Sequence, residues 1–346
     1  MIKPWIFEFF PAPREPGVTD DPQRSADYFS WYLDLWPLAE PLGYEGIFFS
    51  EHHFGLAYSP CPNLLIAQVA LRTRTIRLGV MGLVLPYHQP WKIVEEIGML
   101  DHLTQGRLEI GTAAGIPQEM AQVGLSVAEA RERNDEAIEI LDAALAQSPV
   151  SHNGKYWRFT DLRMMPRPLQ RPFPPKWVTV ISEDSARKAA RRGAKICTGF
   201  HPAERVRSIF DAYREEAARV GNASGPEQLA LRRQVSIGRD DAAIRTASRI
   251  REQQTRTRLF ADPRLATPER EVLDTPTSHA FSIGSDEFIA GAPDSVAEQA
   301  IAQCREVGAG HFLATFDRST EREQLREAWE MFGALVIPQL REATVD

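Results

Sequence analysis

Short apolar, β-branched or aromatic runs alternate with longer amphipathic runs along almost the whole chain. The short runs predict strands at 5–10, 46–50, 76–85, 108–112, 177–181, 195–198, 231–237 and 311–316. Continuous apolar runs of about four to eight residues between turn residues suit strands buried on both faces. The longer runs carry helix ends. Ser126-Val-Ala-Glu129, Ser295-Val-Ala-Glu298 and Thr320-Glu-Arg-Glu323 have the spacing of capping boxes, in which hydroxyl and carboxylate satisfy free amides. Gly43, Gly193, Gly221 and Gly308 follow helical runs, where a left-handed cap is needed. Within 131–145, Ile138, Leu141 and Leu145 share one face while Arg131, Glu132 and Asp135 turn to water, the stripe of a helix lying on a sheet.

This repeating strand–helix unit predicts an α/β protein built as a single closed (β/α)8 TIM barrel, because a right-handed crossover sets each strand beside the last. An open doubly wound sheet would call for GxGxxG after the first strand, and none is there. Two connections are too long for bare loops. The first, near 148–175 after strand 4, contains at 150–160 a hairpin with Asn153-Gly154 at its turn, then a Pro-rich extended arm at 166–175. The second, near 251–291 after strand 7, is charged, Pro-containing and aperiodic, and is expected to cover the site as a rim insertion. One domain over 1–346 is expected.

Composition narrows the partners. A chain of 346 residues could be one large barrel or two ordinary domains, and the pattern selects the barrel. With 40 basic and 47 acidic residues the net charge is −7, which argues against nucleic acid or an anionic membrane as partner. Cys61, Cys197 and Cys304 form neither a disulfide framework nor a CxxC site. They read as small buried apolar side chains in a reducing cytoplasm. The first ten residues lack a cleavage site, so no signal peptide is expected. The longest apolar run, 78–85, falls far short of the ~20 residues of a membrane helix.

In a parallel barrel, chemistry sits beyond the C-terminal ends of the strands. There lie Glu8-Phe9-Phe10, Glu51-His52-His53-Phe54, Tyr87-His88-Gln89, Gly111-Thr-Ala-Ala-Gly115, Ser182-Glu-Asp-Ser185 and Gly199-Phe200-His201. No H-x-H or H-E-x-x-H occurs, and the adjacent His52 and His53 point to opposite sides of an extended segment, so no metal site is expected. The lack of G-x-S-x-G argues against a serine nucleophile. Ser182 and Ser185 flank the start of a helix whose free amides suit a phosphate, with Arg187 in its first turn to add charge. An ordinary serine cap is the other reading of that spacing.

Three segments, Gly43-Tyr-Glu-Gly-Ile-Phe-Phe-Ser-Glu-His-His-Phe54, Leu78-Gly-Val-Met-Gly-Leu-Val-Leu-Pro86 and Met99-Leu-Asp-His-Leu-Thr-Gln-Gly-Arg-Leu-Glu-Ile-Gly-Thr-Ala-Ala-Gly115, occur in that order ahead of Gly291-Ala-Pro-Asp. Together they resemble the bacterial luciferase-like superfamily of flavin-dependent monooxygenases and its deazaflavin-using relatives. The resemblance implies the same barrel and a two-component, FMNH2-dependent monooxygenase. Reduced FMN would come from a separate NAD(P)H flavin reductase. A peroxyflavin formed with O2 would oxidise a small apolar aldehyde, ketone or related substrate. His52 would be the catalytic histidine, supported by Glu51, with His53 a packed, hydrogen-bonded neighbour. Met81-Gly82 would lie against the flavin ring, in a peptide the family often holds cis, and Ser182 and Ser185 on its phosphate. Many relatives carry a phosphate arginine where this chain has Ala114, so Arg187 or another rim cation would have to replace it. Arg107 of the Gly-Arg motif would be structural. Phe9, Phe10, Tyr58, Trp91 and Phe200 could wall the substrate pocket. A homodimer through the helices at 63–73 and 92–103 is implied. The alternatives are a deazaflavin-dependent dehydrogenase and a non-catalytic flavin-binding protein.

Overall fold

Strand β1 (Lys3–Glu8) opens a parallel sheet whose order closes on itself. The computed structural model describes all residues except 13–20, 55–56, 262–283, 317–320 and 346. The strands that follow are β2 (Gly46–Phe49), β3 (Arg77–Val84), β4 (Leu108–Ala113), β7 (Lys176–Thr179), β8 (Lys195–Thr198), β9 (Leu229–Ile237), β10 (Phe288–Gly291) and β11 (His311–Phe316). Their order is β10-β9-β11-β1-β2-β3-β4-β7-β8, and β8 pairs back onto β9, which makes the closed parallel barrel. The eight expected strands are all present, with no end shifted by more than two residues. The chain forms two compact units. One is Met1–Glu8, Leu38–Ile47 and Val178–Asp346, and the other is Phe9–Pro37 and Phe48–Trp177.

In the first unit β1 runs beside β11, with Lys3 opposite His311 and Ile6 opposite Ala314. Strand β9 serves two partners on its second edge: β8 along its first residues and β10 from Gln234 to Ile237. Strand β10 was hidden within the expected 251–291 insertion, because Phe-Ile-Ala-Gly is too short to stand out from its surroundings. The start of that insertion is also different, since Arg251 lies inside helix α8 (Asp241–Ala261). The part at 262–283 lies outside the described residues. The core holds Trp5, Phe312, Trp329 and Phe332, all buried. Trp5 Nε1 donates to His311 Nδ1 at 2.9 Å, so that imidazole is neutral, and burial pushes its pKa down to about 3.

In the second unit β3 and β4 pair in parallel, with a register shift between Val80 and Leu83. The Met81–Gly82 peptide inside that shift is cis, as the resemblance implies. The two strands approach closely: a Cβ on Gly111 would stand 2.0 Å from the Val80 carbonyl oxygen. Arg107 is structural, as expected. It is buried, and its guanidinium donates to the carbonyl oxygens of Thr104, Ile76 and Ala70. Around the strands lie α2 (Pro62–Arg72), α3 (Pro90–Leu103), α4 (Pro117–Gln122) and α5 (Val127–Ala146). Ser126 caps α5 by accepting from the Glu129 amide at 3.1 Å. The hairpin is present as β5 (Val150–Asn153) and β6 (Arg158–Leu162), but Asn153 is paired with Arg158, so its turn is Gly154 to Trp157 rather than Asn153-Gly154.

Other expectations change with the structure. The helix Pro293–Val307 starts before Ser295, which therefore sits inside its first turn and does not cap it. The helix at Arg322 begins behind Glu321, with Thr320 outside the described residues. Cys197 and Cys304 are buried, whereas Cys61 is exposed at the start of α2. Gly221 and Gly308 do take the left-handed cap conformation. Among the described residues no helix is long and apolar enough to cross a membrane.

Candidate active site

The segment leaving β2 carries Glu51, His52 and His53, and the two neighbouring rings turn to different partners. Glu51 is buried. Its Oε2 accepts the Val84 amide at 3.0 Å, and its Oε1 accepts from Nε2 of His53 at 3.0 Å and Nε2 of His88 at 2.8 Å. Burial alone would raise this carboxyl. The bonds from His53, His88 and the Val84 amide outweigh it and hold the carboxyl below its usual range. The same bond to Glu51 raises the pKa of His53, against the opposing effect of burial.

His52 faces a different carboxylate. Its Nδ1 lies 3.0 Å from Oε1 of Glu119, on α4, and that oxygen also accepts the His53 amide at 3.0 Å. A carboxylate oxygen accepts, so Nδ1 is the donor of this bond and Nε2 is the nitrogen left open. The ring stacks on Phe9, centroids 5.5 Å apart and planes 16° from parallel, and the side chain keeps 16% exposure. A small guest can therefore reach it. Phe9 is fixed in turn, because its carbonyl accepts from the hydroxyls of Ser50 and Ser59 at 3.3 and 3.1 Å.

Two polar atoms beside this pair are unsatisfied. Oε2 of Glu119 and the hydroxyl of Tyr87 are buried without a partner among the described residues. Burial, with the charges of Glu119 and Glu51, raises the Tyr87 pKa. Buried polar atoms ordinarily have partners, so donors and acceptors of a bound polar aromatic group fit here. Met81 and Gly82 are buried in β3, and Ala114 is half-buried just beyond β4.

The structure sorts the expected site residues into groups. Glu51, His52, Phe9, Met81, Gly82 and Ala114 lie in one unit, with Glu51 and His52 in the histidine network. Phe10 does not wall a pocket. It is wholly buried at the centre of a cluster made by Tyr28, Phe29, Tyr32, Trp36 and Tyr58, so it is core, with Tyr58 at the cluster's half-buried edge. Trp91 lines a cavity at the hairpin instead. Ser182, Ser185, Arg187 and Phe200 belong to the other unit. Ser182 and Ser185 cap helix α6 (Glu183–Arg191) reciprocally, Ser185 Oγ donating to the Ser182 carbonyl at 2.8 Å. Because α6 starts at Glu183, Arg187 lies past its first turn, where it is half-buried and 3.9 Å from Glu215.

Phe200 follows β8 with φ 69°, a left-handed conformation that a bulky residue rarely holds. Its amide donates to Glu287 Oε2 at 2.7 Å, its carbonyl accepts from Gly284 at 2.7 Å, and the Arg232 guanidinium lies 4.0 Å from its ring centroid. Glu287 is itself buried between Arg232 and Arg233. Sequence reasoning did not find Glu119, Glu287 or Arg232, and saw His88 only as a rim residue. Glu119 carries no motif, and only folding brings it to His52.

Residues 9–311 match the luciferase-like monooxygenase family. Protein y4wF of Sinorhizobium fredii is 36% identical over 225 residues, 64% of this chain and 65% of that protein. The oxygenase component of the flavin-dependent trigonelline monooxygenase of Acinetobacter baylyi is 29% identical over 231 residues, 65% of this chain and 64% of that protein. The chain thus spans just under two thirds of the length of these curated relatives. The oxygenating constituent of 3,6-diketocamphane monooxygenase from Pseudomonas putida, solved in complex with FMN, superposes with a TM-score of 0.78 at 22% identity, covering 98% of each chain. Match, barrel and order of motifs agree, and this chain belongs to the luciferase-like monooxygenase family.

Proposed function

We propose that the protein is the oxygenase component of a two-component, FMNH2-dependent monooxygenase acting with O2 on a small apolar aldehyde, ketone or related substrate. The observation that carries this reading is the His52–Glu119 pair, stacked on Phe9 and still reachable, in a chain of this family. Bound reduced flavin would supply the two electrons that activate O2. The chain's own residues do the rest. Glu119 holds His52 with Nε2 free to take or return a proton. Glu51 ties His53 and His88 to the Val84 amide and so fixes the neighbouring backbone. Phe9 and Phe200 are assigned as apolar walls, and Met81-Gly82 as the backbone facing the flavin ring. The first-turn amides of α6, with Ser182 and Ser185, are assigned to its phosphate. No arginine stands at Ala114, which favours flavin that arrives and leaves as a diffusible reductase product. The supplying partner would be an NAD(P)H flavin reductase.

Equilibrium binding under anaerobic conditions tests the reading. Photoreduced FMN should bind at least tenfold more tightly than oxidised FMN, and O2 should be consumed only with reduced FMN and an accepted substrate. Tight binding of a deazaflavin with none of reduced FMN would overturn it in favour of a dehydrogenase. His52→Ala with full turnover would remove the catalytic assignment.

A further inference from the structure

The hairpin β5–β6 and the start of α3 line an open cavity of about 440 Å³, a size typical of small-molecule sites. It is lined by Gln89, Trp91, Tyr156, Trp157, Arg158, Phe159 and Leu162. All belong to one compact unit. We propose that this cavity is a binding site for a planar aromatic carboxylate, its rings sandwiched by the aromatic walls and its anion held by Arg158.

The walls are fixed before any guest arrives. Glu136 of α5 gathers the hairpin turn by accepting the amides of Lys155, Tyr156 and Trp157 at 3.1, 3.1 and 2.9 Å, and it also meets His152 Nε2 at 3.1 Å. Tyr156 is pinned through its hydroxyl, 2.6 Å from Glu132 Oε2, and by the Arg133 guanidinium 4.8 Å from its ring centroid. Trp157 Nε1 donates to Gln89 Oε1 at 3.0 Å, which ties the hairpin to the entry of α3. Walls held this way lose little freedom on binding.

Charge selects the guest. The carboxylates on and beside the hairpin have partners: Asp161 accepts from the Ser151 hydroxyl, Glu132 meets Lys155 and Tyr156, Glu136 the turn, and Glu129 Arg133. The exposed Arg158 side chain makes no hydrogen bond or ion pair among the described residues. An exposed guanidinium on a residue that lines an aromatic cavity matches a carboxylate bidentately and favours it over a neutral isostere. Trp91, exposed by 38%, is the large apolar surface such a guest would cover. Gln89 directly follows His88, whose ring bonds Glu51, so an occupant abuts the chain that positions the histidine network.

Calorimetric titration of the purified, flavin-free full chain with 2-naphthoate, and with 2-naphthalenemethanol as the uncharged control, tests this. The carboxylate should bind at least tenfold more tightly than the alcohol. Arg158→Gln should abolish that preference while leaving alcohol binding in place, and Trp91→Ala should weaken both by about tenfold. Equal binding of the two probes, or an Arg158→Gln variant that keeps the preference, would overturn the assignment. Competition by reduced FMN, or loss of binding on Phe9→Ala, would place the naphthoate at the histidine network and also overturn it. Sedimentation run alongside covers the remaining outcome: naphthoate that binds only the dissociated chain would assign the cavity to a second copy of this protein. None of these readouts requires turnover, so the proposed monooxygenase activity can fail without deciding this site.

Discussion

Glu119 and Glu51 divide the labour at the candidate site. The bond from Nδ1 of His52 to Glu119 fixes which imidazole nitrogen is basic, and a neutral amide in its place accepts more weakly and can also present the wrong group. Glu119→Gln is expected to lower kcat about 10- to 100-fold, with little change in affinity for reduced FMN. Stopped-flow turnover and flavin titration of the same variant check this, and unchanged kcat would make Glu119 merely a packing residue. Glu51 and His53 give a pH dependence of stability. Glu51 titrates below its ordinary value, so its contribution is present above the usual carboxyl range and is lost as pH falls through the lowered value. His53 lies above its ordinary 6.5, so its contribution is complete below that value and is lost as pH rises through the raised one. Between about pH 6 and about pH 8 the thermal midpoint of the native chain should fall more than that of Glu51→Gln. His201 and His311, held by burial at about 4 and about 3 in the folded chain, regain their ordinary value on unfolding in both proteins alike, so their effect cancels in the comparison. Parallel curves for the two proteins would contradict the pairing.

At the scale of elements, the long connection after β4 is less a loop than a strap. Arg167 donates to the carbonyl oxygens of Leu145 and Gln147 at the end of α5, and Gln170 bonds both oxygens of the buried Asp101 on α3. The approach is so close that a Cβ on Gly98 of α3 would stand 1.8 Å from the Pro166 carbonyl oxygen. Gly98→Ala therefore sets a helix-propensity gain of about 1 kcal/mol against a backbone overlap costing more. A net loss of about 1–3 kcal/mol is expected, read as a lower midpoint in urea. A stabilised variant would show that the strap moves freely. Elements with strong periodicity were legible beforehand: eight strands, the Ser126 cap and the hairpin all stand where the pattern put them, within a few residues. Strand β10 was not, because four residues paired along the far half of β9 carry no period of their own. Ser295 misled for a related reason, since Pro293 starts that helix earlier than the capping spacing suggests.

For the whole molecule, the barrel was readable because the strand–helix rhythm is a property of the chain. The candidate site was readable only in part. Glu51 and His52 sit together in one motif, whereas Glu119 reaches His52 across 67 positions in sequence and Glu287 reaches Phe200 across 87. Phe10 looked the same as Phe9 in sequence, and only the ring cluster around it separates core from wall. Assembly is a further expectation at this scale. Leu64 and Leu71 on α2, with Met99 and Leu103 on α3, are exposed by 68%, 66%, 55% and 49%, an apolar face on the helices assigned above to a homodimer. We expect the native chain to sediment as a dimer and Leu64→Lys with Met99→Lys to sediment as a monomer that still binds reduced FMN. A native monomer would remove that expectation.

The anchoring of Phe200 makes its ring a reporter of the folded chain. The aromatic ring takes its place from Gly284 and Glu287 on one piece of chain and from Arg232 on another. A ring held by residues this far apart in sequence keeps its place only while both pieces are folded together.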